Sequence, residues 1–174
     1  MNIWVIMIFV MILSFIIQQM LQSRFNKYSQ VPTKNGMSGA EVAQKMLNDH
    51  GIYDVKVVPT RGMLTDHFNP QTKTVALSEG VYSSRSVAAA AVAAHECGHA
   101  IQHATGYAPL KFRSNLVPIA NFGSQIAWPL IIIGLMFSSN MSSFFLTAGI
   151  LAFSLAVLFQ LATLPVEFDA SNRA

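Results

Sequence analysis

Three long apolar stretches frame one shorter, periodic middle region. The first stretch runs from Ile3 to Leu21, broken only by Ser14, Gln18 and Gln19. As a helix it is just long enough to cross a hydrocarbon core of about 30 Å. No Lys or Arg precedes it and no small-residue cleavage site follows it, so it reads as a retained transmembrane anchor rather than a secretory signal. The second stretch, roughly Val117 to Phe137, is semi-polar in its first half (Asn121, Ser124, Gln125). Pro118 and Pro129 within it predict a kink or a partly interfacial course. The third, Phe144 to Leu164, is the strongest span of all, with Gln160 and small hydroxyls as its polar content. The uncharged segment Ser138–Ser143 joins the last two into a helical hairpin.

The middle region has a different period. Ser38-Gly39-Ala40-Glu41 is a capping box, in which the serine hydroxyl and the Glu41 carboxylate satisfy free N–H groups. Ala40, Ala43, Met46 and Leu47 then form an apolar stripe, and Gly51 supplies a stop. Asp54–Pro59 reads as a short strand through Val55, Val57 and Val58. After the turn-like Asn69-Pro70-Gln71, Thr72–Leu77 reads as a second. Such a strand either offers its edge to an extended peptide or simply covers the helix after it. That helix starts at about Ser84, and Gly106 and Pro109 end it. The expected fold is α+β: a mostly helical integral membrane protein, with a small sheet packed on one central helix and a transmembrane helical hairpin. Its expected parts are an anchor at 1–21, a soluble region at 22–116, the hairpin at 117–164 and a short returning segment at 165–174.

Composition supports the membrane. Of the 174 residues 52% are hydrophobic and 11% charged, against about 25% charged in soluble domains. The net charge of +3 is too mild to call for nucleic acid. The single Cys excludes an internal disulfide and fits a reducing compartment. Arg24, Lys27 and Lys34 follow the anchor, so the positive-inside rule puts its C-terminal side in the cytoplasm. Lys111, Arg113 and Arg173 flank the hairpin's feet while its connecting loop has no cation. Pro165-Val166-Glu167-Phe168-Asp169 therefore returns to the side the central helix occupies.

The chemistry lies on that helix, in His95-Glu96-Cys97-Gly98-His99. Residues four apart on a helix are separated by about 40° around its axis, so both histidines can grip one metal ion. Glu96 projects beside them, placed to take a proton from a metal-activated water. Cys97 points away from the histidine pair and is expected to be buried. A catalytic Zn2+ needs a third protein ligand with the fourth position open. His103 is two turns beyond His95, about 12 Å along a straight helix, too far for one ion. The H-E-x-x-H-x-x-G-x-x-H pattern fails, since Gln102 and Thr105 occupy its last two positions. Glu167 is the better choice: with Asp169 it is one of two carboxylates after the motif, and it sits where the hairpin returns.

The anchor, the block H-E-C-G-H-A-I-Q, the hairpin and the segment L-P-V-E-F-D-A-S-N-R-A together resemble the YugP-type neutral zinc metallopeptidases of bacterial membranes. More distantly they resemble the HtpX-type membrane peptidases and other gluzincins. The resemblance spans essentially the whole chain. It implies zinc on His95, His99 and Glu167, Glu96 as catalytic base, a peptide or protein substrate, and residence in a bacterial plasma membrane with the catalytic region on the cytoplasmic side. Gluzincins commonly place Asp four residues after the ligand Glu, where it orients a zinc histidine. Ser171 stands there in this chain and Asp169 two residues earlier, which leaves that supporting role open between them. The chain stops seven residues after Glu167, too soon for a stable helix carrying a ligand, and the family usually continues further. His67, His103 and Tyr107 are the local candidates for stabilising an oxyanion.

The expected activity is peptide hydrolysis by zinc-activated water with a glutamate base. One rival is an intramembrane-cleaving metalloprotease. Such enzymes take a third ligand from Asp-Gly, which this chain lacks, and Ser83–Ser86, Gln102 and His103 make the helix too polar for a span. The other rival is a non-catalytic membrane scaffold or binding protein with a structural or vacant zinc site. It lacks a positioned fourth ligand. Nothing in the sequence fixes the oligomeric state.

Overall fold

The computed structural model describes residues 3–136 and 140–174. Along the chain run α1 (Ile3–Ser29), α2 (Gly39–Asp49), β1 (Lys56–Thr60), β2 (His67–Asn69), β3 (Thr74–Ser78), α3 (Glu79–Tyr82), α4 (Val87–Ala104), α5 (Ala108–Met136) and α6 (Asn140–Arg173). Two compact units result, one reaching to Ala100 and including Ala174, the other Ile101–Arg173. This is the expected mostly helical α+β protein. Three of its helices are long and apolar enough to cross a membrane.

In the first unit α1 continues beyond Leu21, through Arg24 and Lys27, to Ser29, a length of about 40 Å. None of its apolar window is buried, as lipid rather than protein contact requires. The capping box forms as expected. Ser38 accepts from the Glu41 N–H at 3.3 Å and its own N–H donates to Glu41 at 2.7 Å. Gly51, at φ +69°, takes the left-handed conformation that closes α2. Gly39 has a separate reason: a Cβ there would lie 2.3 Å from the Val81 carbonyl oxygen, so the first turn of α2 can press on α3 only without a side chain.

The sheet departs from expectation. β3 is its central strand, parallel to β1 (Val75 opposite Val57) and antiparallel to β2 (Val75 opposite Phe68). Both edges of β3 are thus taken, so of the two readings left open for Thr72–Leu77 the one that offers an edge to a peptide fails. The strand also starts later than expected. Asn69 Oδ1 accepts from the N–H groups of Gln71 and Thr72 at 2.9 and 3.2 Å, and Lys73 has φ 51°, so a turn occupies these positions. β2 is too short to announce itself by alternation. α3, one turn long, was likewise unexpected, and α4 begins at Val87 rather than near Ser84. The Ser86 hydroxyl accepts from the Ala89 N–H at 3.2 Å, the bond of an N-cap. The segment after the anchor is hydrogen-bonded to that start, Val87 N–H to the Val31 carbonyl at 2.8 Å and Thr33 N–H to the Arg85 carbonyl at 2.9 Å.

The second unit contains the hairpin. Glycines let its two helices approach: a Cβ on Gly123 would meet the Ala152 carbonyl at 2.9 Å and one on Gly134 the Leu146 backbone at 2.9 Å. α5 starts earlier than expected because Pro109 fits its first turn, where a missing N–H costs nothing. It is helical throughout Pro118 and Pro129. Of the expected Ser138–Ser143 loop, Ser138 and Ser139 lie outside the described residues, as does Phe137. Asn140 already opens α6, and the Ser142 hydroxyl donates to the Gly134 carbonyl at 2.6 Å. α6 then continues through Pro165 to Arg173, contrary to the expectation that too little chain remained for a helix around Glu167. No new nucleus is needed, because these residues extend a helix already formed. At about 51 Å it exceeds a hydrocarbon core by some 20 Å, enough to carry its last turns beyond the bilayer.

Candidate metal centre

Helix α4 is built to be packed closely on one side. Ala89, Ala93, Cys97 and Ala100, spaced four, four and three apart, are at most 1% exposed. The Cys97 thiol lies 3.6 Å from the Ala43 carbonyl oxygen of α2. Burial pushes it up to about 12, and the Glu96 charge adds to this. A thiol held so firmly protonated is neither ligand nor nucleophile at neutral pH, in keeping with the expectation that Cys97 is buried and turned away.

His95, Glu96 and His99 are half-buried on the rest of the helix. The two imidazoles meet edge to face, ring centres 4.9 Å apart, which is what one helical turn between them imposes. Three residues past His99, Gln102 is fully buried. Its amide donates to the Val166 carbonyl at 2.7 Å and to the Asp169 carboxylate at 2.8 Å. Those acceptors flank Glu167 in sequence, so the end of α6 is tied to the last turns of α4. Asp169 also pairs with Arg173 at 2.6 Å, and the Arg173 guanidinium lies 5.4 Å from the centre of the Tyr107 ring.

The ligand atoms of His95, His99 and Glu167 lie within 4.8 Å of one another, a group able to hold a metal ion. The donor set suits zinc. Two imidazole nitrogens and a carboxylate oxygen are the protein ligands of one class of catalytic zinc site, which leaves a fourth position open.

The remaining candidates have other surroundings. His67 lies exposed on β2, with Nδ1 2.8 Å from the Thr65 carbonyl oxygen. His103 is exposed in the last turn of α4, and Tyr107 is under Arg173. Asp169 has its oxygens engaged by Gln102 and Arg173. Sequence reasoning missed the tie made by Gln102, which counted there as a break in the longer zinc pattern and as a polar residue arguing against a span. The available signal was its place three after His99, on a helix whose buried face is otherwise small or apolar.

Known proteins resemble the chain over nearly its whole length. A family described as "Putative neutral zinc metallopeptidase" matches residues 3–174. The "Putative membrane protease YugP" of Bacillus subtilis (strain 168) is 48% identical over 162 residues, 93% of this chain and 71% of that protein. No solved structure matches significantly.

Proposed function

Because the chain belongs to the family of neutral zinc metallopeptidases, whose metal is zinc, we propose that it is a membrane-bound peptidase with zinc on His95, His99 and Glu167 and Glu96 as general base. The observation that supports this most is the grouping of the three donors beside a glutamate one residue after the first histidine. When bound, zinc supplies a Lewis acid for the scissile carbonyl and makes its water acidic enough to attack near neutral pH.

The protein's own contribution is proton traffic and positioning. Glu96 takes the proton of the attacking water as its oxygen adds to the carbonyl carbon. It returns that proton to the amine nitrogen as the C–N bond breaks, and so ends the cycle ionised again. Gln102 acts at a distance from the reacting atoms, holding the last turns of α6 so that Glu167 keeps its place. Asp169 supports the site through Gln102. The substrate is a peptide or protein, and the work is divided as the sequence suggests: anchor 1–21, catalytic region 22–116, hairpin 117–164 and ligand-bearing end 165–174. The cations after the anchor and at the hairpin's feet favour a catalytic region on the cytoplasmic side of the plasma membrane.

Glu96→Gln keeps the shape and loses the base. The expected result is unchanged zinc content with casein hydrolysis reduced by about 10²–10⁴-fold. Zinc bound by the unaltered chain and by Glu96→Gln, with neither cleaving any peptide, would replace the enzyme by a zinc-holding membrane scaffold.

A further inference from the structure

The second unit contains a cleft that peptide hydrolysis does not use. It lies between α5 and α6, has a volume of about 300 Å³, and is lined by apolar side chains that include Phe112, Leu116, Ile119, Leu155, Leu158 and Ala162. Phe112, Ile119, Leu155 and Leu158 are largely exposed, so the cleft opens outward. From Phe112 to Ala120 it follows α5 for about 12 Å, most of one leaflet of a 30 Å core.

One end of the cleft differs from the other. At the Phe112 end, Lys111 and Arg113 flank the lining residue in sequence, whereas the far end runs into the fully apolar part of both helices. Among the described residues neither cation has a hydrogen-bond or ion-pair partner for its side chain, and the Arg113 Nε is buried as well as unpaired. A buried guanidinium N–H without an acceptor is costly. Nor is a carboxylate at hand: this unit's two are Glu167, in the candidate metal group, and Asp169, already engaged by Arg173 and Gln102.

We propose that this cleft holds one acyl chain of an anionic phospholipid, whose headgroup phosphate is bound by Arg113 and Lys111. The phosphate accepts from the outer N–H groups of the Arg113 guanidinium, whose planar fork suits two phosphate oxygens at once. The acyl chain fills a cleft whose length suits one leaflet. Charge complementarity selects an anionic over a zwitterionic headgroup.

The test uses the full chain in neutral detergent, titrated with phosphatidylglycerol or with phosphatidylcholine of the same acyl chains and read by native mass spectrometry. Two basic contacts predict retention of phosphatidylglycerol about 30-fold better, weakening as salt is raised. Lys111→Gln with Arg113→Gln should bring the ratio close to one. Ala162→Phe, which keeps both charges and fills the cleft, should weaken retention of phosphatidylglycerol on its own. Should the double variant fail to fold, Ala162→Phe and the salt series decide. Equal retention of the two lipids, a preference surviving the double substitution, or displacement of the lipid by an equal concentration of inorganic phosphate would overturn the proposal.

Discussion

Helices α4 and α6 carry the three candidate ligands and are built in opposite ways. Helix α4 is short, rich in small residues and packed on one side, with Ala93 and Cys97 wholly buried. Helix α6 is nearly twice as long, and only 6% of its apolar window is buried. Leu151, Leu158 and Leu161 face outward, as lipid-facing residues do. Within α4 the backbone itself fixes the distance between the two histidines. Glu167 depends instead on where a long membrane helix ends, and Gln102 ties that end through its bonds to Val166 and Asp169. One half of the proposed site is set by local helical geometry; the other is set by a return through the bilayer.

The strongest way to break this contrast is to remove one ligand from each helix. His99→Ala and Glu167→Ala should each lower zinc affinity by more than about 100-fold, beyond the range seen when only a ligand's supporting partner is removed. Zinc stoichiometry and affinity by competition with a chelator measure this. Unchanged affinity in Glu167→Ala would leave α4 alone as the metal helix and sink the assignment on α6.

A smaller effect tests how the end of α6 is held. Gln102→Leu keeps the volume and removes a buried donor, which leaves the Val166 carbonyl short of a partner. The expected cost is about 1–3 kcal/mol of stability, together with a 10–100-fold loss of zinc affinity because Glu167 is less well placed. Gln102→Glu should be worse, since it sets a second carboxylate against Asp169. Thermal unfolding and zinc competition, measured on the same samples, separate the two contributions. A loss of stability with zinc affinity intact would mean that Gln102 packs the helices without positioning the ligand.

The same contrast explains what the sequence disclosed. The histidine pair, the capping box from Ser38 to Glu41 and the left-handed stop at Gly51 are all decided within one or two turns, so residue type and spacing were enough to read them. The three spans were legible too, because lipid imposes length and polarity on each residue directly. What was misread depends on partners distant in sequence. Thr72–Leu77 left edge and cover undecided, and β3 is central because the three-residue β2 pairs with it, steadied by Asp66, whose carboxylate accepts from the Ser78 N–H at 2.7 Å. The helix around Glu167 looked too short only when counted from Pro165; it is the end of a span already wound. The place of Gln102 could be read only by knowing what α6 brings back to it.

The smallest predicted effect sharpens the locally coded side. Ser38→Ala should destabilise α2 by about 1 kcal/mol, seen as roughly five-fold faster amide exchange in that helix and little change in zinc affinity. Glu41 adds a pH dependence of known sign. The Ser38 backbone N–H, then its hydroxyl, and finally the charge of Arg85 hold the Glu41 carboxyl below its ordinary value of 4.5. A carboxyl with a depressed folded-state pKa stabilises fully above its unfolded value and loses that contribution as pH falls through the folded one. Protection of the α2 amides, corrected for intrinsic exchange, should therefore be flat from neutral pH down to about 5 and decline below it. Glu41→Ala should abolish the decline. Since box and helix lie within a few residues of each other, the profile should be the same in thin and thick bilayers. A dependence on bilayer thickness would show that α2 is coupled to the membrane helices after all.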